Sequence, residues 1–89
     1  MQIQSGYAYK CDDKVSAQQF LKMCKEKKFV WGYGSPIKAS ENEILYIWKN
    51  ADTLFIVNDS FYDGKKVFLA DKNFANKHKY YIVNVEAKA

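Results

Sequence analysis

The stretch Val15-Ser16-Ala17-Gln18-Gln19-Phe20-Leu21-Lys22-Met23-Cys24-Lys25-Glu26-Lys27-Lys28 decides the fold class. Ser16 and Gln19 stand at the Ser-x-x-Gln spacing of a capping box, in which each side chain satisfies a free backbone donor of the other. Val15 and Phe20 flank that box at the spacing of a hydrophobic staple. Ala17, Phe20, Leu21 and Cys24 then recur at helical spacing on one stripe, a seam that must face a core. Lys22, Lys25, Lys27 and Lys28 crowd the last turns, where cations complement the negative end of the helix dipole. That is sufficient reason for the lysines without a functional role.

The flanks of this helix read as strands. Residues 2–10 alternate in part, with Gly6 marking a bend, and Cys11 to Lys14 form a polar turn. Phe29-Val30-Trp31 is a short strand running into the Gly32-Tyr33-Gly34-Ser35-Pro36 loop. Ile44 to Trp48 and Thr53 to Val57 are aromatic and β-branched runs, expected to pair as an antiparallel hairpin. Phe61 to Leu69 contains Asp63-Gly64 between apolar flanks, a second hairpin signal. Lys72 to Lys79 reads as a polar connection anchored by Phe74, and Tyr80 to Val85 as the last strand, with Glu86 to Ala89 fraying. The expectation is one α+β domain over residues 1–89: a single amphipathic helix on a small, mostly antiparallel sheet of about five strands. One short helix cannot cover both faces of such a sheet, so some aromatics are expected on an open face.

Composition narrows the function classes. Fifteen of the 89 residues are aromatic, which exceeds what a small core needs and leaves rings for a surface. All fourteen basic residues are lysine, against ten acidic ones, for a net charge of +4. Without the arginine fork, sequence-specific DNA reading and phosphoryl transfer are disfavoured. An AT-rich coding bias also accounts for a chain rich in Lys, Asn, Ile, Tyr and Phe. The lysines and His78 concentrate between Lys65 and Lys79, and the acids between Ala39 and Asp63, giving a charge split that orients a partner. The longest apolar run, Ile44 to Trp48, is five residues, so no membrane span is expected. No leader is visible, and two cysteines without one fit a cytoplasmic protein with free thiols.

The chemistry of catalysis is sparse. Cys11 and Cys24 form no C-x-x-C pair and His78 is the one histidine, so neither a metal site nor a cofactor is expected. Cys24 lies on the apolar stripe, where a cysteine packs and does not attack. Asp12-Asp13 and Asp59 with Asp63 are the only carboxylate pairs of note, and both read as turn residues. Gly32-x-Gly34 lacks the Lys and Ser/Thr of a phosphate loop. The expectation is a protein that is not an enzyme.

From Phe20 through Pro36 the chain resembles a pattern found in small phage- and prophage-encoded proteins. In these a helix ending in an apolar-Leu pair and a Cys is followed by a Trp-bearing strand and a Gly loop. Leu45-Tyr46-Ile47 matches their later apolar-Tyr-apolar run. The chain departs at Lys28, where such proteins more often carry Gly, and this puts the turn out of the helix in question. Proteins of this kind often block a host protein, so the resemblance implies a host or defence protein as partner.

The leading expectation is therefore a protein-binding module. Its candidate contacts are Trp31, Tyr33, Trp48, Tyr62, Lys65, Lys66, Lys77, Lys79, Tyr80 and Tyr81. The alternatives are single-strand nucleic-acid binding, with Phe74, His78, Tyr80 and Tyr81 stacking bases and Lys72, Lys77 and Lys79 following phosphates, and small-ligand binding in a curled sheet. A homodimer through the open sheet face is compatible with either kind of partner.

Overall fold

The computed structural model describes residues 2–58 and 65–88. Its elements are β1 (Tyr7–Cys11), α1 (Lys14–Glu26), β2 (Val30–Trp31), α2 (Glu41–Ile47), a 3-10 turn (Trp48–Asn50), β3 (Leu54–Val57), β4 (Lys66–Ala70), α3 (Lys72–Lys77) and β5 (Tyr81–Val85). The five strands form one sheet in the order β2-β4-β3-β1-β5. β3 runs antiparallel to both β1 and β4, while β1–β5 and β2–β4 are parallel. The α+β class therefore holds, but the sheet is mixed and not mostly antiparallel. Three helices are present among the described residues where one was expected.

The largest correction concerns Ile44 to Trp48, which is helix and not strand. Ser40 Oγ accepts from Glu43 N at 3.2 Å, and Glu41 and Glu43 lie in the first turn, where anions suit the dipole. Ile44 is buried and Ile47 and Trp48 are half-buried, whereas Leu45 and Tyr46 both point to solvent. Two consecutive outward residues fit a period of 3.6 and cannot occur in a strand of period 2. β3 consequently pairs with its neighbours β1 and β4. Lys72 to Lys77 is likewise helical, because Asp71 Oδ1 accepts from Phe74 N at 2.7 Å. Its buried anchor is Ala75, while Phe74 stays 39 % exposed.

α3 covers the face of the sheet that was expected to be open. Ala75 packs with Ala8, Phe55 and Val57 on that side, and the larger core lies on the other. There Tyr9, Ile56 and Val67 meet Phe20, Leu21 and Cys24 of the predicted α1 stripe, with Ile44 of α2 beside them. All four residues of β3 are buried because the strand is covered on both faces.

α1 begins earlier than the capping box suggested. Asp13 is the cap, accepting from Ser16 N at 2.7 Å, and Ser16 Oγ donates to Asp13 O at 3.0 Å. Val15 is left 54 % exposed, so no staple forms with Phe20. Gln19 instead accepts from Lys88 N at 2.8 Å and donates to Lys88 O at 3.0 Å, which ties down a tail expected to fray. The N-terminal strand is also shorter than residues 2–10. Tyr9 Oη accepts from Gln4 N and donates to Gln2 O, so this segment wraps a side chain and stays out of the sheet.

α1 and α3 leave by the same motif. Phe29 N donates to Cys24 O and Lys28 N to Lys25 O, with Lys28 at φ 64. Tyr80 N donates to Ala75 O and Lys79 N to Asn76 O, with Lys79 at φ 58. These are Schellman exits, in which a lysine takes the left-handed position usually given to glycine. The hairpin expected around Asp63-Gly64 lies outside the described residues.

Candidate binding surface

β2 is an edge strand, and the chain that follows it folds back over the edge. Trp31 N donates to Ser35 O at 2.9 Å, Gly34 N donates to Trp31 O at 2.7 Å, and Pro36 bridges Val30. Gly34 at φ 95 permits the reversal. Gly32 is required for a different reason. A Cβ there would lie 1.7 Å from Phe68 Cε1, so the Phe68 ring occupies the space a side chain would need. The reversal pushes Tyr33 outward to 80 % exposure, while Ile37, farther along the strap, is buried and anchors it.

The Glu43 carboxylate locks this strap to α2. Oε1 accepts from Trp31 Nε1 at 2.9 Å and Oε2 accepts from Ala39 N, where Ala39 sits in the left-handed region at φ 51. Tyr46 of α2 projects to solvent at 78 % exposure. Tyr33 and Tyr46 both line a cleft of about 680 Å³, together with Trp31, Ser35, Pro36 and Lys38. Leu69, 46 % exposed, adjoins Tyr46 in one neighbouring hollow and Tyr33 in another. Tyr33, Tyr46 and Leu69 thus form one apolar patch at the β2 end of the sheet. Lys38 also borders a hollow with Lys22, Lys25 and Glu26, where three lysines against one carboxylate leave a net basic flank.

The contacts expected from sequence are dispersed. Tyr33 is exposed and belongs to the patch. Trp31 is only 4 % exposed, and what it shows lines the same cleft. Trp48 is half-buried against the core in the 3-10 turn and is likewise removed from the exposed set. Tyr62 lies outside the described residues, as do Asp59 and Asp63. Lys65, Lys77 and Lys79 are exposed and Lys66 is half-buried on β4. Tyr80 is half-buried and stacks on Phe74 with centroids 6.2 Å apart; His78 lies 4.3 Å from Phe74. Tyr81 is on the opposite face of β5, 69 % exposed and edge-on to Tyr7. Tyr46, Leu69 and Lys38 were not anticipated. The Ser40-x-x-Glu43 spacing was the signal for α2, and through α2 for Tyr46.

Both cysteines are free and buried. Burial pushes the thiols of Cys11 and Cys24 up to about 12, so at neutral pH they are protonated and unfit as nucleophiles. Asp12 is engaged by Lys10 at 3.5 Å and by Thr53 Oγ1, and Asp13 by its capping role, so this carboxylate pair is structural. Among the described residues no three His, Cys, Asp or Glu side chains are grouped to hold a metal ion. No described helix is long and apolar enough to cross a membrane. Comparison with protein families, with curated proteins and with solved structures finds no match.

Proposed function

We propose that this protein is a non-catalytic protein-binding module whose contact surface is the patch of Tyr33, Tyr46 and Leu69 at the β2 edge. The observation that carries the reading is the pair of tyrosines. At 80 % and 78 % exposure they line one cleft, beside the Trp31–Glu43 clamp. Tyrosine offers large contact area at little rotamer cost, and a held backbone reduces the ordering lost on binding. Lys38, Lys22 and Lys25 beside the patch favour a partner that brings acidic residues to its rim. The resemblance to phage and prophage proteins makes a host or defence protein the class of partner, met in the cytoplasm.

Single-strand nucleic-acid binding has less support. Phe74 stacks on Tyr80 and His78 lies tilted against both, so these rings are partly engaged with one another within the chain. The test is affinity capture with tagged protein, comparing Tyr33→Ala with Tyr46→Ala against Lys77→Glu with Lys79→Glu, each pair checked for native circular dichroism. The tyrosine pair should weaken capture of a stoichiometric protein partner by roughly 30-fold or more, as interface anchors do. The lysine pair should leave it intact. Sub-micromolar binding of single-stranded oligonucleotides, lost in the lysine pair alone, would overturn the reading.

A further inference from the structure

The other edge of the sheet is built to be shared. In the parallel β1–β5 pair, Tyr7 sits opposite Tyr81 and Tyr81 N donates to Gly6 O. Parallel ladders alternate, so Tyr81, Val83 and Val85 turn their backbone groups toward β1, and Ile82 and Asn84 turn theirs away. No described residue takes up these outward N–H and C=O groups, since β5 has β1 as its one strand neighbour. Edge strands are ordinarily protected by a charge, a proline, a bulge or a cover. Tyr81-Ile82-Val83-Asn84-Val85 carries no charge and no proline. The register with β1 runs unbroken over all five residues, so no bulge interrupts it.

We infer that β5 pairs antiparallel with β5 of a second copy of this chain, about a two-fold axis through Val83, to form one continuous sheet. The segment is its own complement in that register. Ile82 faces Asn84 of the second copy, so each outward donor and acceptor meets its counterpart. Tyr81, 69 % exposed in the single chain, faces Val85 of the second copy across the closer, non-hydrogen-bonded spacing, an aromatic to β-branched pair of the kind that stabilises sheets. Over Tyr81 to Val85 this pairing sets no charged side chain against another. A heterologous partner strand has no such match in the chain to recommend it. The inference stands apart from the cleft, which lies at the opposite end of the sheet.

Sedimentation or light scattering should give twice the 10.4 kDa chain mass at about 100 µM, falling toward the single mass on dilution. Asn84→Pro removes an outward donor and leaves the ladder to β1 in place, and it should raise the dimer dissociation constant at least about tenfold with an unchanged circular dichroism spectrum. Val83→Cys provides a readout independent of that variant's folding. The two-fold axis sets the two Val83 Cα atoms about 4.5 Å apart, within disulfide range, so mild oxidation should crosslink the copies. Asn84→Cys faces Ile82 and should not crosslink, and the native thiols are buried. A single-mass species at that concentration would overturn the inference. So would a dimer that survives in folded Asn84→Pro, or crosslinking through Asn84→Cys in place of Val83→Cys. Should Asn84→Pro fail to fold, the two cysteine variants decide.

Discussion

The two edges of the sheet solve one problem in opposite ways. At β2 the strand is two residues long, and its outer backbone is taken up by the chain itself through Ser35 and Pro36. At β5 the strand is five residues long and uncharged, and alternate backbone groups face outward. Both strands are entered through the same Schellman exit with a left-handed lysine, so the contrast is not in how the helices stop. It lies in what comes next. A glycine-rich strap folds over β2, whereas residues 86–88 leave β5 and are drawn to α1 by Gln19. A closed edge offers a partner side chains, here Tyr33 and Tyr46. An open edge offers backbone, which a second copy can read.

Trp31→Ala should break the contrast most severely. The side chain is buried beneath the strap, and its removal is expected to cost about 3–5 kcal/mol in a urea melt, loosening Tyr33 as well. A loss below about 1 kcal/mol would mean that the strap is held without the indole. Between the edges, the thiols of Cys11 and Cys24 titrate near 12 in the folded chain against an ordinary value of 9. Because the folded state holds those protons more tightly, their contribution is complete below about pH 9. It is lost as pH rises toward 12, at about 1.4 kcal/mol per thiol per pH unit. Melts of Cys24→Ala should therefore decline less steeply above pH 9 than those of the native chain, and equal slopes would contradict this.

Gly32→Ala drives a methyl into the Phe68 ring and is expected to cost about 1–3 kcal/mol, whereas at Gly6 and Gly34 the space is open and the positive φ is what a side chain would strain. Lys28→Gly and Lys79→Gly should each stabilise the fold by about 0.5–1 kcal/mol, one at the exit into each edge, by relieving a left-handed side chain. A gain at one exit and a loss at the other would show that the two turns are not equivalent. Asn84→Lys, on the exposed face of the open edge, should change the stability of dilute protein by less than about 0.5 kcal/mol. A larger loss would show that this edge is already in use within the single chain.

The legible parts of the fold were those where local chemistry and tertiary packing agree. The α1 stripe of Ala17, Phe20, Leu21 and Cys24 was readable because its period matches the core it meets. β3 and β5 were readable as β-branched runs. Ile44 to Trp48 was misread because Ile, Tyr and Trp favour strands intrinsically, and the deciding cap at Ser40 lies outside that run. α3 escapes a pattern reading because four of its six residues are polar and the buried contact is made by the small Ala75. With α2 and α3 missing, Tyr46 was assigned to a strand and one sheet face was left bare. The surface reading suffered in proportion. Tyr33 is exposed, as its loop position suggests, whereas the Trp31 indole bonds to Glu43, a partner twelve residues away that no local pattern reveals.

The position of β1 has a kinetic consequence. The first strand made lies inside the sheet, between β3 and β5, and its β5 neighbour is the last strand made. Tyr7 cannot meet Tyr81 until the 74 residues that follow it have been made, and the loop closed at that moment spans every element between them. Such sequence-distant pairing places folding in roughly the millisecond-to-second range and not among the microsecond helical folders. Until β5 docks, a nascent chain carries a naked strand edge at Tyr7 to Cys11. Docking of β5 is thus the step that turns β1 from a bare edge into an inner strand and leaves β5 as the rim of the sheet.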